Sequence, residues 1–222
     1  DCHSCLECSQ KLEGACATVY LAEDISSSDE GQCVNFHSDT KTFDCQGNEI
    51  IGGAIGKEFY YGIMAGGNDN TIKNCVIKDF EVGIDIHNGD EFLITDNTLE
   101  DNYGSGMFIA DSSDIRIREN VIENSAQGVF IAGSTGTIFE ENRICGSTEG
   151  DIISSPWNEA TGSTRSDNTC DVIYNWNGDN DGSWCDSTCN EGASTTVGSG
   201  SSLQGALSGE YGTVDLTSDI TV

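Results

Sequence analysis

Asp85 and His87 are the residues whose types and spacing come closest to acid–base chemistry in this sequence. A carboxylate that contacts an imidazole orients the ring and shifts its protonation, and proton transfer needs a group placed in this way. Arg116 and Arg118 are a second candidate because they flank a single apolar residue, but no cluster of acids accompanies them. A lone histidine beside an aspartate at a surface is more often simply solvated. The sequence therefore predicts no catalytic constellation, and a protein that is not an enzyme.

Cation binding is indicated near the end of the chain. Oxygen-bearing side chains occupy alternate positions around a glycine, at Asn177, Asp179, Asp181 and Ser183. Calcium needs several oxygen ligands, and a glycine permits the sharp turn that gathers them. The pattern departs from the usual calcium loop at its first position, Asn177, and at its twelfth, Thr188. It indicates a calcium site, and the alternative is an acidic turn that holds no ion.

The eleven cysteines are far more than a reduced cytosolic protein of this size usually contains, so the sequence predicts an oxidising compartment. Cys2, Cys5 and Cys8 have a spacing that also occurs among iron–sulfur ligands, and His3 beside them is a candidate zinc ligand. No fourth cysteine follows at the ferredoxin spacing, and there is no haem-attachment motif. We therefore expect no haem, and we favour disulfides for this segment, some of them intermolecular, over a metal.

Short strands must position these side chains, because the chain from Gly83 to Asn142 repeats a pattern every 22 or 23 residues and weaker copies extend it in both directions. Each repeat opens on a glycine followed by alternating apolar residues, as in Gly83-Ile84-Asp85-Ile86, and reaches an asparagine before a second apolar run. The glycines are Gly62, Gly83, Gly106, Gly128 and Gly150, and the asparagines are Asn74, Asn97, Asn120, Asn142 and Asn168. A fixed period of this length marks a solenoid, and the alternation marks strands.

With one glycine corner and one asparagine corner in each coil, the chain from Thr18 to Cys170 resembles a right-handed parallel β-helix of the pectate-lyase-like superfamily. It is also similar to archaeal and bacterial cell-surface β-helix repeat proteins. The superfamily contains many polysaccharide lyases and hydrolases. We predict an all-β solenoid of about six to seven coils, with a short N-terminal cap, an extra C-terminal strand and a ladder of stacked asparagine amides.

The composition divides the chain into a Cys-rich cap at 1–17, the β-helix at 18–170, an acidic and aromatic cover at 171–190, a Gly/Ser/Thr linker at 191–202, and a final segment at 203–222. The first segment is expected to cover the open end with a short helix, because stacked repeats need a terminal cover. Stacking of the coils favours the disulfides Cys33–Cys45 and Cys145–Cys170. The odd number of cysteines leaves a free thiol or a bridge to another subunit.

One face of the solenoid is predicted to carry a stripe of outward side chains. Successive side chains of a strand alternate between two faces, so the middle residue of each Gly-apolar-x-apolar pattern points outward when its neighbours point inward. These outward residues are Met64, Asp85, Phe108, Phe130 and Ile152. Four of the five are apolar, which marks a covered or binding face. Three uses remain open: cover by the chain's own tail, a subunit contact, and an aromatic platform for sugar rings.

The formal net charge of −29 argues against nucleic acid as a partner, because binding to phosphates needs many more basic residues than the nine present. No apolar run approaches the roughly 18 residues of a membrane span. The chain opens at Asp1 with neither a methionine nor a signal sequence. We therefore expect an exported and processed protein that is extracellular or at the cell surface.

The end of the chain repeats its beginning at an offset of 195 residues, so that Thr213 corresponds to Thr18. Thr213, Val214, Leu216 and Ile220 are the residues of this copy that we assign to an interface. A single strand is not stable alone. The copy is therefore expected to pair with another subunit, or to continue into a longer tandem protein.

These features favour a structural protein, the subunit of a head-to-tail homo-oligomer, fibre or surface assembly held by strand addition and disulfides. The alternative is a carbohydrate-binding or polysaccharide-cleaving β-helix protein, with a polysaccharide as its partner.

Overall fold

The computed structural model describes residues 1–27, 31–53, 60–155, 162–174 and 185–189, and the backbone of two short strands at 194–196 and 213–215. Near the N-terminus lies helix α1 (Cys5–Glu13). The Glu7 N–H donates to Ser4 Oγ, which caps the start of the helix. Cys8 and Leu12, on the inner face of the helix, are fully buried. The predicted N-terminal cap is therefore a short helix with one apolar face. No helix in the described part of the chain is long and apolar enough to span a membrane.

Three parallel sheets surround the core. The first contains β1 (Thr18–Tyr20), β4 (Thr42–Asp44), β7 (Thr71–Lys73), β10 (Leu93–Thr95), β13 (Arg116–Arg118), β16 (Ile138–Glu140) and β19 (Thr164–Ser166). The second contains β2 (Ile25–Ser27), β5 (Glu49–Gly52), β8 (Val76–Lys78), β11 (Thr98–Glu100), β14 (Val121–Glu123) and β17 (Arg143–Cys145). The third contains β3 (Gly31–Phe36), β6 (Tyr60–Asn68), β9 (Val82–Asp90), β12 (Ser105–Ala110), β15 (Gln127–Ala132), β18 (Gly150–Ser154) and β20 (Ile173–Tyr174).

The strands of each sheet stack in register along the axis. Ile94 in β10, for example, lies between Ile72 of the preceding coil and Ile117 of the following coil. All three of these isoleucines are fully buried, and the residues on either side of each point outward or towards a corner. Each coil thus closes its apolar side chains inside the solenoid, about 4.8 Å from those of the next coil. The predicted all-β parallel β-helix is confirmed.

The asparagine ladder forms one corner of the coils, between the first and second sheets. Asn97 N–H donates to Asn120 Oδ1, and Asn120 N–H donates to Asn142 Oδ1, both at 3.0 Å. The same contact joins Asn142 to Asn168. These buried amides satisfy backbone groups that the turn would leave unpaired. Asn74 is not part of the ladder, because Cys75 occupies that position and its N–H donates to Asn97 Oδ1.

Five disulfides are formed, and the two predicted pairings are wrong. The bonds are Cys2–Cys8, Cys5–Cys33, Cys45–Cys75, Cys145–Cys189 and Cys170–Cys185. Cys33 lies in β3 of the third sheet, whereas Cys45 follows β4 of the first sheet. The two residues therefore lie on different sides of the solenoid and do not stack. Cys145 and Cys170 each bond to the segment 185–189 instead of to each other. A linear spacing does not tell which corner a cysteine occupies.

The cysteines at the N-terminus hold the cap in place and do not ligate a metal. Cys2 and Cys8 are bonded within the cap, and Cys5 anchors α1 to Cys33 in β3. Cys16 is the free, exposed thiol among the described residues. The odd count therefore leaves a cysteine that has no partner within the chain.

The tail contains strand β22 (Thr213–Asp215), which pairs in parallel with β21 (Ser194–Thr196) of the same chain. The sequence predicted pairing with another subunit or continuation into a longer tandem protein, whereas the structure pairs the backbone of this strand within its own chain, in a sheet separate from the three of the β-helix. Leu216 and Ile220, assigned to the same interface, lie outside the described residues.

Candidate functional site

The outer face of the third sheet carries the predicted ladder, with one correction. Met64, Asp85, Phe108 and Phe130 are direct neighbours across strands β6, β9, β12 and β15. The next residue is Ile153 and not Ile152, because Phe130 pairs with Ile153. Ile152 is fully buried in the core. The last repeat places Asp151 where the others have glycine, so its pattern is shifted by one residue.

Three flat rings form a column along this ladder. The Phe108 and Phe130 rings are 5.3 Å apart and almost parallel, with an angle of 2° between their planes. The His87 ring, which lies beside Asp85, stacks on Phe108 with centroids 5.4 Å apart. Both phenylalanines are only partly buried. Strand pairing causes this arrangement, because residues in register on parallel strands hold their side chains one above another.

Asp85 and His87 are in direct hydrogen-bond contact. His87 Nδ1 lies 2.6 Å from Asp85 Oδ1, and 36% of the His87 side chain is exposed against 2% of Asp85. An ionised carboxylate only accepts, so Nδ1–H donates and Nε2 is left free to exchange a proton. Burial raises the pKa of Asp85, and the charge and hydrogen bond of His87 oppose that rise. The two residues form an oriented acid–base pair.

These groups line an elongated groove of about 560 Å³ on the third sheet. Beyond the ladder, its polar walls are formed by Tyr61, Glu81, Tyr103, Gln127 and Glu149. Gln127 Nε2 donates to Glu149 Oε2 at 2.8 Å, and Ser105 Oγ donates to Gln127 Oε1 at 3.1 Å. Desolvation raises the pKa of the Tyr61 hydroxyl, and the charges of Asp85 and Glu81 raise it further. Tyr61 therefore keeps its proton at neutral pH.

Sequence reasoning missed the walls of the groove although a signal for them was present. Ser105 N–H donates to Glu81 O, Gln127 N–H to Gly104 O, and Glu149 N–H to Ala126 O. Glu81, Gly104, Ala126 and Glu149 thus occupy equivalent places just before the outward ladder, and the glycine and alanine open the space that the two glutamates border. An alignment of the repeats that included the residues before each glycine would have identified the two glutamates.

The other residues singled out in the sequence lie elsewhere. Arg116 and Arg118 are on the first sheet, where Arg118 Nη2 contacts Glu119 Oε1 at 3.0 Å. The loop with Asn177, Asp179, Asp181 and Ser183 lies outside the described residues, so its calcium site remains a prediction.

A second group of candidate ligands is structural. Asp151, Asp171 and Cys189 approach one another, but the Cys189 sulfur is bonded to Cys145. Asp151 Oδ2 accepts the N–H groups of Asp171 and Val172, and Asp171 Oδ1 accepts that of Cys189. These carboxylates fasten the last coil to its cover.

The comparisons with known proteins agree with this architecture. A model of the right-handed β-helix region matches residues 23–181. Among curated proteins, no sequence matches the chain.

Three solved structures are similar. An alginate lyase from Paenibacillus sp. str. FPU-7 aligns with a TM-score of 0.57 and 14% identity over 88% of this chain and 80% of the lyase. The enzymatically active domain of tailspike protein 2 of bacteriophage CBA120 aligns with a TM-score of 0.50 and 14% identity over 74% of this chain and 25% of that one. A periplasmic alginate epimerase, AlgG, aligns with a TM-score of 0.47 and 13% identity over 68% of this chain and 42% of the epimerase.

At these identities the likeness shows the fold, and the chain spans less than half of the epimerase and about a quarter of the phage protein. The prediction that the chain is not an enzyme is nevertheless contradicted by two solved structures that share its fold, an alginate lyase and an enzymatically active tailspike domain. That prediction relied on the lack of acids next to Asp85 along the ladder. It overlooked the acids and tyrosines that border the ladder.

Proposed function

This chain belongs to the right-handed β-helix family, and we propose that it is a polysaccharide-active enzyme whose substrate lies in the groove of the third sheet. The observation that carries the proposal is the column of His87, Phe108 and Phe130 beside the Asp85 carboxylate. It joins a flat apolar strip to an oriented acid–base pair. These findings favour polysaccharide cleavage over the fibre subunit expected from the sequence.

The aromatic column suits a sugar chain. Phe108 and Phe130 are nearly parallel rings stacked 5.3 Å apart along the solenoid axis, and their outward edges form an apolar strip on which the apolar faces of pyranose rings can pack. The polar walls offer hydroxyl, amide and carboxylate groups to the sugar hydroxyls. An open groove of this kind accepts an internal segment of a long polymer, since neither end of the polymer has to enter a closed cavity.

His87 and Asp85 suit proton transfer at a glycosidic bond. His87 Nε2 faces away from the hydrogen bond at Nδ1 and is available to the substrate, whereas Asp85 fixes the orientation of the ring. Tyr61 and Tyr103 border the same groove, and the raised pKa of Tyr61 keeps its hydroxyl protonated at neutral pH, so that it can donate a hydrogen bond to the sugar. We assign proton transfer to His87 and a positioning role to Asp85.

The protein is proposed to act outside the cytoplasm. Five disulfides and a net charge of −29 support this, because disulfides persist in oxidising compartments and the excess of acidic residues keeps the protein soluble. A calcium ion bound by the loop from Asn177 to Ser183 is part of the same proposal.

Incubation with a panel of soluble polysaccharides tests the proposal. Wild-type protein is expected to release new reducing ends from at least one of them, and Phe130→Ala is expected to bind that glycan more weakly. Tyr20→Ala is the matched control, because Tyr20 is an exposed aromatic residue on the first sheet, outside the groove. The proposal fails if no glycan is bound or cleaved, or if Tyr20→Ala and Phe130→Ala lose binding equally.

A further inference from the structure

The ionisable side chains that line the groove include carboxylates but no lysine or arginine. Glu81, Asp85 and Glu149 border the cavity, and His87 is its single basic side chain among the described residues. The whole third sheet shares this feature, since none of its strands from β3 to β20 contains a lysine or an arginine. A bound anionic group would therefore meet like charges without a countercharge.

Several lysines and arginines of the described residues form contacts on the other two sheets. On the first sheet, Lys73 contacts Asp44 and Arg118 contacts Glu119. On the second, Lys78 contacts Glu49 at 2.8 Å, and Arg143 contacts Glu123 at 2.6 Å.

The other lysines and arginines that the structure describes also lie away from the groove. At the N-terminal end, Lys11 contacts Glu7, and Lys41 donates to the carbonyl oxygens of Gly14 and Cys16. Arg116 and Arg165 lie on the first sheet, and Lys57 lies outside the described residues. No described lysine or arginine is placed to receive a substrate carboxylate or sulfate.

We infer that the substrate of the groove is a glycan without anionic groups, an inference that rests on the proposed function. Uncharged hydroxyls donate hydrogen bonds to the carboxylates of Glu81 and Glu149, whereas uronate carboxylates or sulfate esters are repelled by them. The net charge of −29 adds a long-range repulsion that slows the approach of any polyanion. Specificity thus comes from charges that exclude the wrong polymer.

The inference also selects the reaction. Elimination needs an acidic C–H next to a carboxylate of the sugar, and an uncharged glycan has none. Cleavage is then hydrolysis, in which water is the co-reactant. The bond between the anomeric carbon and the bridging oxygen breaks, and the water oxygen bonds to that carbon. One proton of the water is taken up by a basic group of the groove, and the bridging oxygen receives a proton from an acidic one.

A matched glycan panel tests the inference on the full chain at low and at physiological salt. Neutral probes are mixed-linkage β-glucan, galactomannan and arabinan, and anionic probes are alginate and polygalacturonate. We expect binding and new reducing ends with a neutral probe, no absorbance from unsaturated products, and no binding of either polyuronate. Binding of a polyuronate by the wild-type protein would overturn the inference and leave the proposed function intact. If no probe is bound or cleaved, the proposed function falls, and the inference falls with it.

Charge removal provides the second arm. The double variant Glu81→Gln/Glu149→Gln is expected to bind polygalacturonate about tenfold more tightly than the wild type at low salt, with a smaller gain at high salt. Glu100→Gln/Glu141→Gln removes the same charge from outside the groove and is expected to change that affinity by less than about twofold. Equal gains in the two double variants would show that only net charge matters, and would contradict a selective groove.

Discussion

The first and third sheets enclose the same core and differ in what they present to solvent. On the first sheet the outward residues include charged pairs between neighbouring strands, as in Lys73 with Asp44 and Arg116 with Glu140. On the third sheet they include the stacked rings of Phe108 and Phe130, and the acidic Asp85 has a histidine as its partner. Because the core, the strand pairing and the corner ladder hold the coils together, the outer positions of one sheet are free to form a binding surface. The contrast indicates which face to alter, and which to use as a control.

The largest expected effect is on catalysis. His87→Ala should lower kcat for glycan cleavage by about 10²- to 10⁴-fold, the usual contribution of a positioned acid or base. The measurement is the rate of reducing-end release at saturating glycan. His3→Ala is the control, since His3 is an exposed histidine beside helix α1, outside the groove, and its ring contacts Glu23. Equal rates for His87→Ala and wild type would remove His87 from the mechanism.

Asp85 should act through His87 rather than on the substrate. Asp85→Asn is expected to lower kcat with little change in KM and to shift the pH profile of kcat, because an amide no longer enforces the imidazole orientation and charge. Asp85→Glu should restore part of kcat, since a carboxylate is again near Nδ1. A variant that raises KM alone, with an unchanged pH profile, would assign Asp85 a role in binding instead.

A smaller effect is expected from the aromatic column. Phe130→Ala should raise the dissociation constant of the cleaved glycan about tenfold, because loss of one stacked ring costs about 0.5–1.5 kcal/mol beyond the area it buries. The dissociation constant is measured by isothermal titration calorimetry with an oligosaccharide. Both proteins carry His87→Ala, so that the oligosaccharide is not cleaved during the titration. An unchanged dissociation constant would mean that the sugar does not lie on Phe130.

The two faces should also differ in how acid affects stability. Burial raises the pKa of Asp85, so the folded protein binds a proton there more readily than the unfolded chain does. The ionised Asp85 therefore lowers the free energy of unfolding, and this cost becomes smaller as the pH drops towards the folded pKa. For Asp44, burial is outweighed by hydrogen bonds from Asn74, Gln46 N–H and Lys73, which lower the pKa. Its stabilisation is present above the unfolded pKa of about 3.9 and is lost as the pH falls through the lowered folded pKa.

Urea unfolding of Asp85→Asn and Asp44→Asn between pH 3 and pH 7 checks these opposite signs. The free energy of unfolding of the wild type relative to Asp85→Asn should rise as the pH falls. Relative to Asp44→Asn, it should fall below about pH 4. Slopes of the same sign in the two variants would contradict the difference between the faces.

The smallest effect is expected on the first sheet. Arg116→Ala should change the free energy of unfolding by less than about 1 kcal/mol, because half of the Arg116 side chain is exposed and its contact with Glu140 is long, at 4.0 Å. Glycan binding and cleavage should be unchanged. A loss of activity here would mean that the active surface extends beyond the third sheet.

The fold could be predicted because the period of the sequence is also the period of the structure. Ile94 and Ile117 recur one coil apart and stack in the core, and Asn97 and Asn120 do so at the corner. The prediction failed where the repeat is locally shifted. Ile152 was assigned outward because Gly150 resembles the other repeat glycines, whereas Asp151 takes that place in the register.

The disulfides and the site were harder to predict, because both depend on how neighbouring coils meet. Cys45 and Cys75 stack one coil apart, but 30 residues separate them in the sequence. This separation exceeds the repeat period of 22 or 23 residues, so the linear spacing does not reveal the pair. The sequence identified Asp85 and His87 as a pair, but Tyr61 and Glu149 are too far away along the chain for their spacing to indicate a shared site. Those residues reach the groove only through the register of β6, β9, β12 and β15.

The central claim is that a glycan binds along the column of His87, Phe108 and Phe130. A crystal structure of the Asp85→Asn protein with an oligosaccharide of the cleaved polymer tests it most directly. We predict one pyranose ring over Phe108, the next over Phe130, and a glycosidic oxygen within hydrogen-bond distance of His87 Nε2. Sugar density on the first or second sheet, with the third sheet empty, would contradict the account.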